Sequence, residues 1–311
     1  MSKQGSFKIF TVAGIGVYVH WMWIVVAFLS LQYRTHVYSS LGWNVAEYLS
    51  IFGIVLIHEF GHQLACRQVG GQTHDIVLWA LGGVAYVNPP QRPGAQLWSI
   101  AAGPLVNVAL IPILSLLVSI SSHRQWYNSN LDLYDLIHNV WWINMGLLIF
   151  NMLPIYPLDG GQILRSFLWF PFGRAKSLFI VSIIGFIGLA GLVGFAVYRY
   201  VVPTNAVSGG LLIAMVLFIL FNCWGGLKQA MALSRIAKLP RREGFACPSC
   251  KTAPPLGEYW RCGKCGKTFD TFLTQGICPH CSTQYNVTHC LDCGTANPIE
   301  AWMKAPPSNN N

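Results

Sequence analysis

Hydrophobic positions in this chain fall into long unbroken runs rather than the one-sided stripes of soluble helices. Six runs approach the roughly 20 residues that cross 30 Å of hydrocarbon: 17–31, 46–65, 97–120, 136–155, 177–197 and 210–224. The first and last are near the lower length limit. Between the second and third runs, residues 74–87 read as two short strand-like stretches joined through Gly82 and Gly83. That segment is too short and too broken to cross. Backbone at membrane depth must be paired or buried, so the pattern predicts a re-entrant β-hairpin, with a surface hairpin as the alternative. After residue 242 the apolar runs stop. The expected architecture is therefore an all-α polytopic membrane domain over 1–242 with one small hairpin, a compact segment over 243–300, and a disordered tail over 301–311.

Composition points the same way. Hydrophobic residues make up 53% of the 311 positions and charged residues 10%, where a soluble domain carries roughly 25% charged. The net charge of +9 lies in residues 1–242, and the remainder is balanced. The basic residues flank the apolar runs unequally. Lys3, Lys8, Arg67, Arg92, Arg165, Arg174, Lys176, Lys228, Arg235, Lys238, Arg241 and Arg242 gather on one side, against Arg34, Arg124 and Arg199 on the other. That asymmetry predicts cytoplasmic termini and makes the excess charge a membrane signature rather than a nucleic-acid one. Trp21, Trp23, Trp43, Trp98, Trp126, Trp169 and Trp224 near the run ends fit an aromatic belt. No small-residue cleavage site follows the first apolar run, so a removable signal peptide is not expected.

The second run contains His58-Glu59-Phe60-Gly61-His62. Histidines at i and i+4 share one helix face and can grip one zinc ion, with the intervening glutamate beside the open coordination position as a general base. Two histidines and a glutamate are costly to bury in an apolar span without a purpose. A catalytic zinc needs a third protein ligand and an open fourth place. Asp159 is the candidate, because Pro154 and Pro157 break the fourth run and Gly160-Gly161 permit a tight turn that presents it. Runs two and four cross in the same direction, so their C-terminal ends, with His58/His62 and Asp159, lie in one layer on one side.

These residues carry a family resemblance. The chain resembles the site-2 protease family of intramembrane zinc metalloproteases, most of all the six-span bacterial branch with the sporulation sigma-factor-processing enzymes. The resemblance rests on HEFGH, on LGGVA at 81–85, on AAGPLVN at 101–107 and on NMLPIYPLDGGQILR at 151–165, with Gly14 and His20 fitting ahead of them. It covers about residues 10–170. It implies a bacterial cell-membrane location, cleavage of transmembrane substrates within or near the bilayer, Asp159 as the third zinc ligand, and Asn107 and Asn151 lining the cleft. Gln96 departs from the carboxylate often found there, and a cysteine-rich tail is a further departure.

In this reading Glu59 takes a proton from a zinc-activated water and returns it to the leaving amine. The Gly82-Gly83 hairpin offers an edge on which an extended substrate pairs. The amides of Asn107 and Asn151 serve either a substrate carbonyl or plain inter-helix hydrogen bonds. His20 and His138 are read as supporting or core histidines. Two other classes compete: a metal transporter or sensor, which would spread polar residues through the depth of the bilayer, and a proteolytically silent scaffold, against which the intact Glu59 argues.

Eight of the ten cysteines form four CxxC pairs after residue 246: Cys247/Cys250, Cys262/Cys265, Cys278/Cys281 and Cys290/Cys293. Two such turns complete a tetrahedral site of four thiolates, so the spacing predicts a tandem of two zinc ribbons. Sequential pairing, first with second and third with fourth, closes the shortest loops. Disulfides are the rival reading, disfavoured in a reducing cytosol. Balanced charge offers phosphates no basic stripe, so a protein partner or regulation of the protease is expected rather than nucleic acid. Cys66 and Cys223, alone in apolar surroundings, read as small buried hydrophobes. The chain as a whole is expected to hold about three zinc ions, one catalytic and two structural.

Overall fold

A computed structural model of the chain describes residues 5–33, 37–79, 82–201 and 207–303. It divides into two compact units. The first comprises Met1–Pro171 and Ile180–Gly226, and the second Phe172–Phe179 and Leu227–Asn311.

The first unit opens with strands β1 (Ser6–Val12) and β2 (Ile15–His20), then helices α1 (Trp21–Tyr33) and α2 (Leu41–Gln68). Strands β3 (Gln72–Trp79) and β4 (Gly82–Asn88) follow, then α3 (Pro93–His123), the short α4 (Trp126–Ser129), α5 (Leu131–Asn151), α6 (Asp159–Val201) and α7 (Val207–Ala237). The four strands form one sheet in chain order, with β1–β2 and β3–β4 antiparallel and β2–β3 parallel.

Residues 17–20, expected to start the first span, are strand β2. Ile15, Val17, Val19 and His20 are all buried on this inner strand, and a strand covered on both faces reads as a continuous apolar run, which is why it passed for the start of a helix. The hairpin is present, but Gly82 and Gly83 lie inside β4, opposite Trp79 and Leu78, rather than in the connection, which falls outside the described residues.

By length and composition, four helical stretches among the described residues suffice to cross a membrane: Leu41–Gln68, Pro93–His123, Asp159–Gly191 and Val216–Ala237. Helix α5 has 21 residues, but Asp132, Asp135, His138, Asn139 and Asn144 lower its hydropathy. Helix α1 has only 13 residues, short of the span length. Helix α6 is broken at Gly173, whose φ of 77° lies in the left-handed region.

The sheet packs on α1 and α2 through Ile15, Val19, Ile76 and Leu78 against Trp23 and Val55. Helices α2 and α3 approach closely at Gly61, where a Cβ would stand 2.7 Å from the Ala102 carbonyl oxygen. A further cluster joins Ile155 to Leu189, Ile219 and Cys223.

In the second unit, two-stranded ribbons β5–β6 (Trp260–Arg261, Thr268–Phe269) and β7–β8 (Val287–His289, Ala296–Pro298) surround buried Trp260, Phe269, Phe272 and Trp302. Within 301–303, part of the stretch expected to be disordered, Trp302 belongs to this core: it is 1% exposed and its carbonyl accepts from the Ala246 N–H at 2.8 Å.

Candidate metal centre

Helix α2 carries His58, Glu59 and His62, each no more than 7% exposed. Asp159 is the first residue of α6, where the helix N-terminus favours a carboxylate. Its Oδ2 lies 3.1 Å from His58 Nε2 and 3.5 Å from His62 Nε2, and the two Nε2 atoms are 3.2 Å apart. Ligands held about 2.0–2.1 Å from a tetrahedral zinc stand roughly 3.3 Å from one another. The triangle therefore has the dimensions of three corners of a zinc site, and its donor set is one that zinc accepts.

Both rings are fixed from behind. His58 Nδ1 meets Asn107 Oδ1 at 2.5 Å, and His62 Nδ1 meets the Ser99 carbonyl at 3.0 Å. Each contact occupies one ring nitrogen and leaves Nε2 for the metal. The Asn107 amide donates to Asn144 Oδ1 at 2.8 Å, and the Asn144 amide donates to the Asn107 carbonyl at 3.1 Å. Asn107, expected to line the cleft, is fully buried with its side chain committed to His58 and Asn144. Its side chain thus backs a candidate ligand and bridges two helices, the inter-helix role that the sequence left open beside a cleft contact.

Two glycines shape the space. A Cβ on Gly103 would collide with His62 Nε2 and stand 2.8 Å from His58 Nε2, so only glycine leaves room for the ligands. A Cβ on Gly83 would stand 2.5 Å from Glu59 Oε1. Strand β4 thus passes directly against the proposed base, and it is an edge strand of the sheet. Gly82 lies beside it in the same strand.

Asn151 ends α5, half-buried, and among the described residues it makes no hydrogen bond to His58, His62 or Asp159. His20 stacks on Trp79 with ring centres 3.9 Å apart, and His138 bonds to the Tyr134 carbonyl at 2.9 Å, so both have other partners. Ser99 and Asn144 escaped the sequence reading, and Gly103 entered it only within the AAGPLVN motif. Asn144 had a usable signal: an asparagine within an apolar run asks for a buried partner.

In the second unit the cysteines form two groups, Cys247, Cys250, Cys290 and Cys293, and Cys262, Cys265, Cys278 and Cys281. The expected sequential pairing is thus replaced by a nested one, first turn with fourth and second with third. Loop entropy is the weaker effect. Each doubling of loop length costs only about 0.6 kcal/mol, and closing the inner group shortens the outer loop. Burying one large aromatic such as Trp302 contributes about 1.5–3 kcal/mol and draws the two ends of the segment together. The Tyr285 hydroxyl, with the Lys264 and Cys265 N–H groups, holds the Cys262 thiol down to about 5.

The profile of peptidase family M50 matches residues 114–195, a segment that contains Asp159 but not the histidine pair. A zinc metalloprotease of Methanocaldococcus jannaschii is 32% identical over 182 residues, covering 58% of this chain and 50% of that protein. Stage IV sporulation protein FB of Bacillus subtilis is 29% identical over 182 residues, covering 56% of each. The chain spans about half the length of the curated relatives it matches. Among solved structures, the site-2 protease of Methanocaldococcus jannaschii superposes with a TM-score of 0.50 at 25% identity, covering 71% of this chain and 95% of that one.

Proposed function

We propose that this chain, which carries a peptidase family M50 domain of the site-2 protease type, is an intramembrane zinc metallopeptidase that cuts transmembrane proteins within or near the bilayer. The observation that carries this reading is the triangle of His58, His62 and Asp159, 3.1–3.5 Å on a side, with Glu59 buried beside it on a helix apolar enough to cross a membrane. His58, His62 and Asp159 would hold the ion. Zinc, when bound, supplies Lewis acidity toward a water molecule and the scissile carbonyl.

The protein's own groups do the rest. Glu59 accepts a proton from the attacking water and delivers it to the leaving amine. Asn107 and Ser99 hold the imidazoles in register, and Gly103 keeps the ligand pocket clear. A transmembrane helix resists hydrolysis because its carbonyls are already hydrogen-bonded. An unwound substrate segment laid along the β4 edge near Gly82 and Gly83 exchanges those bonds for pairing with the sheet. Gly83 lets that strand lie against Glu59. Asn151, at the end of α5, is the remaining candidate for a substrate contact. Six spans, with both termini in a bacterial cytoplasm, and a tail that meets a protein partner complete the proposal.

The test is Glu59→Gln in purified protein with a transmembrane reporter substrate. Zinc content should stay at the wild-type level while cleavage falls by about 10²–10⁴-fold. Normal cleavage by that variant would remove Glu59 from the reaction.

A further inference from the structure

Four stretches of the second unit repeat one turn. In each, the N–H of the first cysteine donates to the carbonyl five residues on: Cys247 to Thr252, Cys262 to Lys267, Cys278 to Thr283 and Cys290 to Thr295, at 2.9–3.0 Å. The N–H four residues after that cysteine returns the bond to its carbonyl, from Lys251, Gly266, Ser282 and Gly294. All four of those residues have positive φ, between 55° and 76°. This turn aims two sulfurs at one point.

The sulfurs meet as two sets. Cys247 and Cys293 are 3.7 Å apart, as are Cys250 and Cys290; Cys262 and Cys281 are 3.5 Å apart, and Cys265 and Cys278 are 3.7 Å apart. Thiolates about 2.3 Å from a tetrahedral zinc stand roughly 3.8 Å from each other. Both sets therefore have the dimensions of tetrathiolate zinc sites.

The two sets differ in their surroundings. The outer one is buried at Cys247, Cys290 and Cys293, whereas Cys265 of the inner one is exposed. Four thiolates on one zinc carry a net charge of −2, which is costly to bury without compensation. Cations are supplied at the outer set. Arg241 makes a two-pronged pair with Asp292, at 2.7 and 3.0 Å, and Asp292 sits between ligands Cys290 and Cys293. Arg174, which follows the α6 break at Gly173 within Phe172–Phe179, donates to the Asp292 carbonyl. Both guanidinium groups lie in the field of the Cys250 and Cys290 sulfurs.

We propose that these eight cysteines hold two zinc ions in nested order, and that the outer one is a clamp, fastening Phe172–Phe179 to the cysteine-rich segment through Arg174 and Asp292. Arg241 closes the same clamp from the other side. This inference stands on the second unit alone and does not depend on the peptidase reading.

Zinc counting and cobalt spectra on the full chain, with cysteines changed to serine two turns at a time, test the nesting. Removing the first and fourth turns (Cys247, Cys250, Cys290 and Cys293) should leave one tetrathiolate cobalt site per chain. Removing the first and second turns should leave none. A tetrathiolate site that survives the second combination but not the first would establish sequential pairing and overturn the nested order. The clamp is tested by the double variant Arg174→Ala and Arg241→Ala. The outer ion, identified as the release phase missing when the first and fourth turns are removed, should pass to a chelator at roughly tenfold lower chelator concentration. The inner phase should stay unchanged. Equal weakening of both phases, or of neither, would overturn the clamp.

Discussion

The candidate metal sites of the two units are built on opposite principles. In the first unit the candidate ligands sit on long helices that pack closely on one another, as α2 and α3 do at Gly61. His58 and His62 are one turn apart on α2, and Asn107 and the Ser99 carbonyl of α3 set their rings. In the second unit the cysteines themselves form much of the core, alongside Trp260, Phe269, Phe272 and Trp302. A scaffold that stands without its metal can leave one coordination place free for chemistry, whereas a segment folded around its metal must use all four places.

Metal removal should separate the two most sharply. In the stripped full-length protein, residues 243–303 should lose protection from proteolysis and hydrogen exchange almost completely, because their apolar core is too small to stand alone. Helices α2, α3 and α5 should keep their protection. Equal loss in both units, followed by limited proteolysis and mass spectrometry, would show that the helical unit is also metal-built and would dissolve the contrast.

A bulky residue at Gly83 should have the next largest effect. Gly83→Val places a side chain where the Glu59 carboxylate now lies. Displacing a catalytic group by about 1 Å can cost roughly 10²-fold in rate. Cleavage should fall by that order while zinc content is unchanged, since the substitution touches none of the three ligands. Loss of zinc in this variant would mean that β4 supports the ligands rather than the base.

The contrast also shows what the sequence could disclose. The helical grouping was legible because its candidate ligands follow a helical period: i and i+4 put His58 and His62 together whatever the rest of the fold does. Asp159 was legible because prolines and glycines mark a chain break. The residues behind the ligands were not, since the Ser99 carbonyl carries no side-chain signature and Asn107 reads the same as a cleft donor or a ring support. The sheet was hidden where β2, buried on both faces, mimics the start of an apolar helix. In the tail the CxxC spacing disclosed the four cysteine turns but not which of them pair. Pairing depends on which turns the Trp302 and Trp260 packing draws together, and local spacing carries no trace of that.

Asn107→Ala should act more gently, and through the metal. It removes the Nδ1 contact of His58 and leaves Asn144 Oδ1 without its amide donor. Losing such a support typically weakens metal binding about 10–100-fold. Activity should therefore recover at raised zinc concentration, a rescue that Gly83→Val should not show. If Asn107→Ala bound zinc normally but lost substrate affinity, its amide would belong to the cleft after all.

The smallest effects belong to the tail's repeated turn, where one position can be compared four times. The left-handed residue is glycine at Gly266 and Gly294 but Lys251 and Ser282 in the other two turns. Nothing lies within 4 Å of a Cβ placed on Gly294, so Gly294→Ala tests backbone strain without a steric clash. A non-glycine residue in this region costs about 1–2 kcal/mol. The alanine regains part of that, about 0.4–1 kcal/mol, by restricting the unfolded chain. A net loss of about 1 kcal/mol should result, read as a fall in zinc affinity of several-fold at the outer site. The reverse change, Ser282→Gly, relieves the strain at the inner site and should raise affinity there by a similar factor, with the outer site unmoved. If Gly294→Ala weakened the inner site as much as the outer, the two ions would share one folding transition, and the nested sites would be a single metal-built core rather than two separable ones.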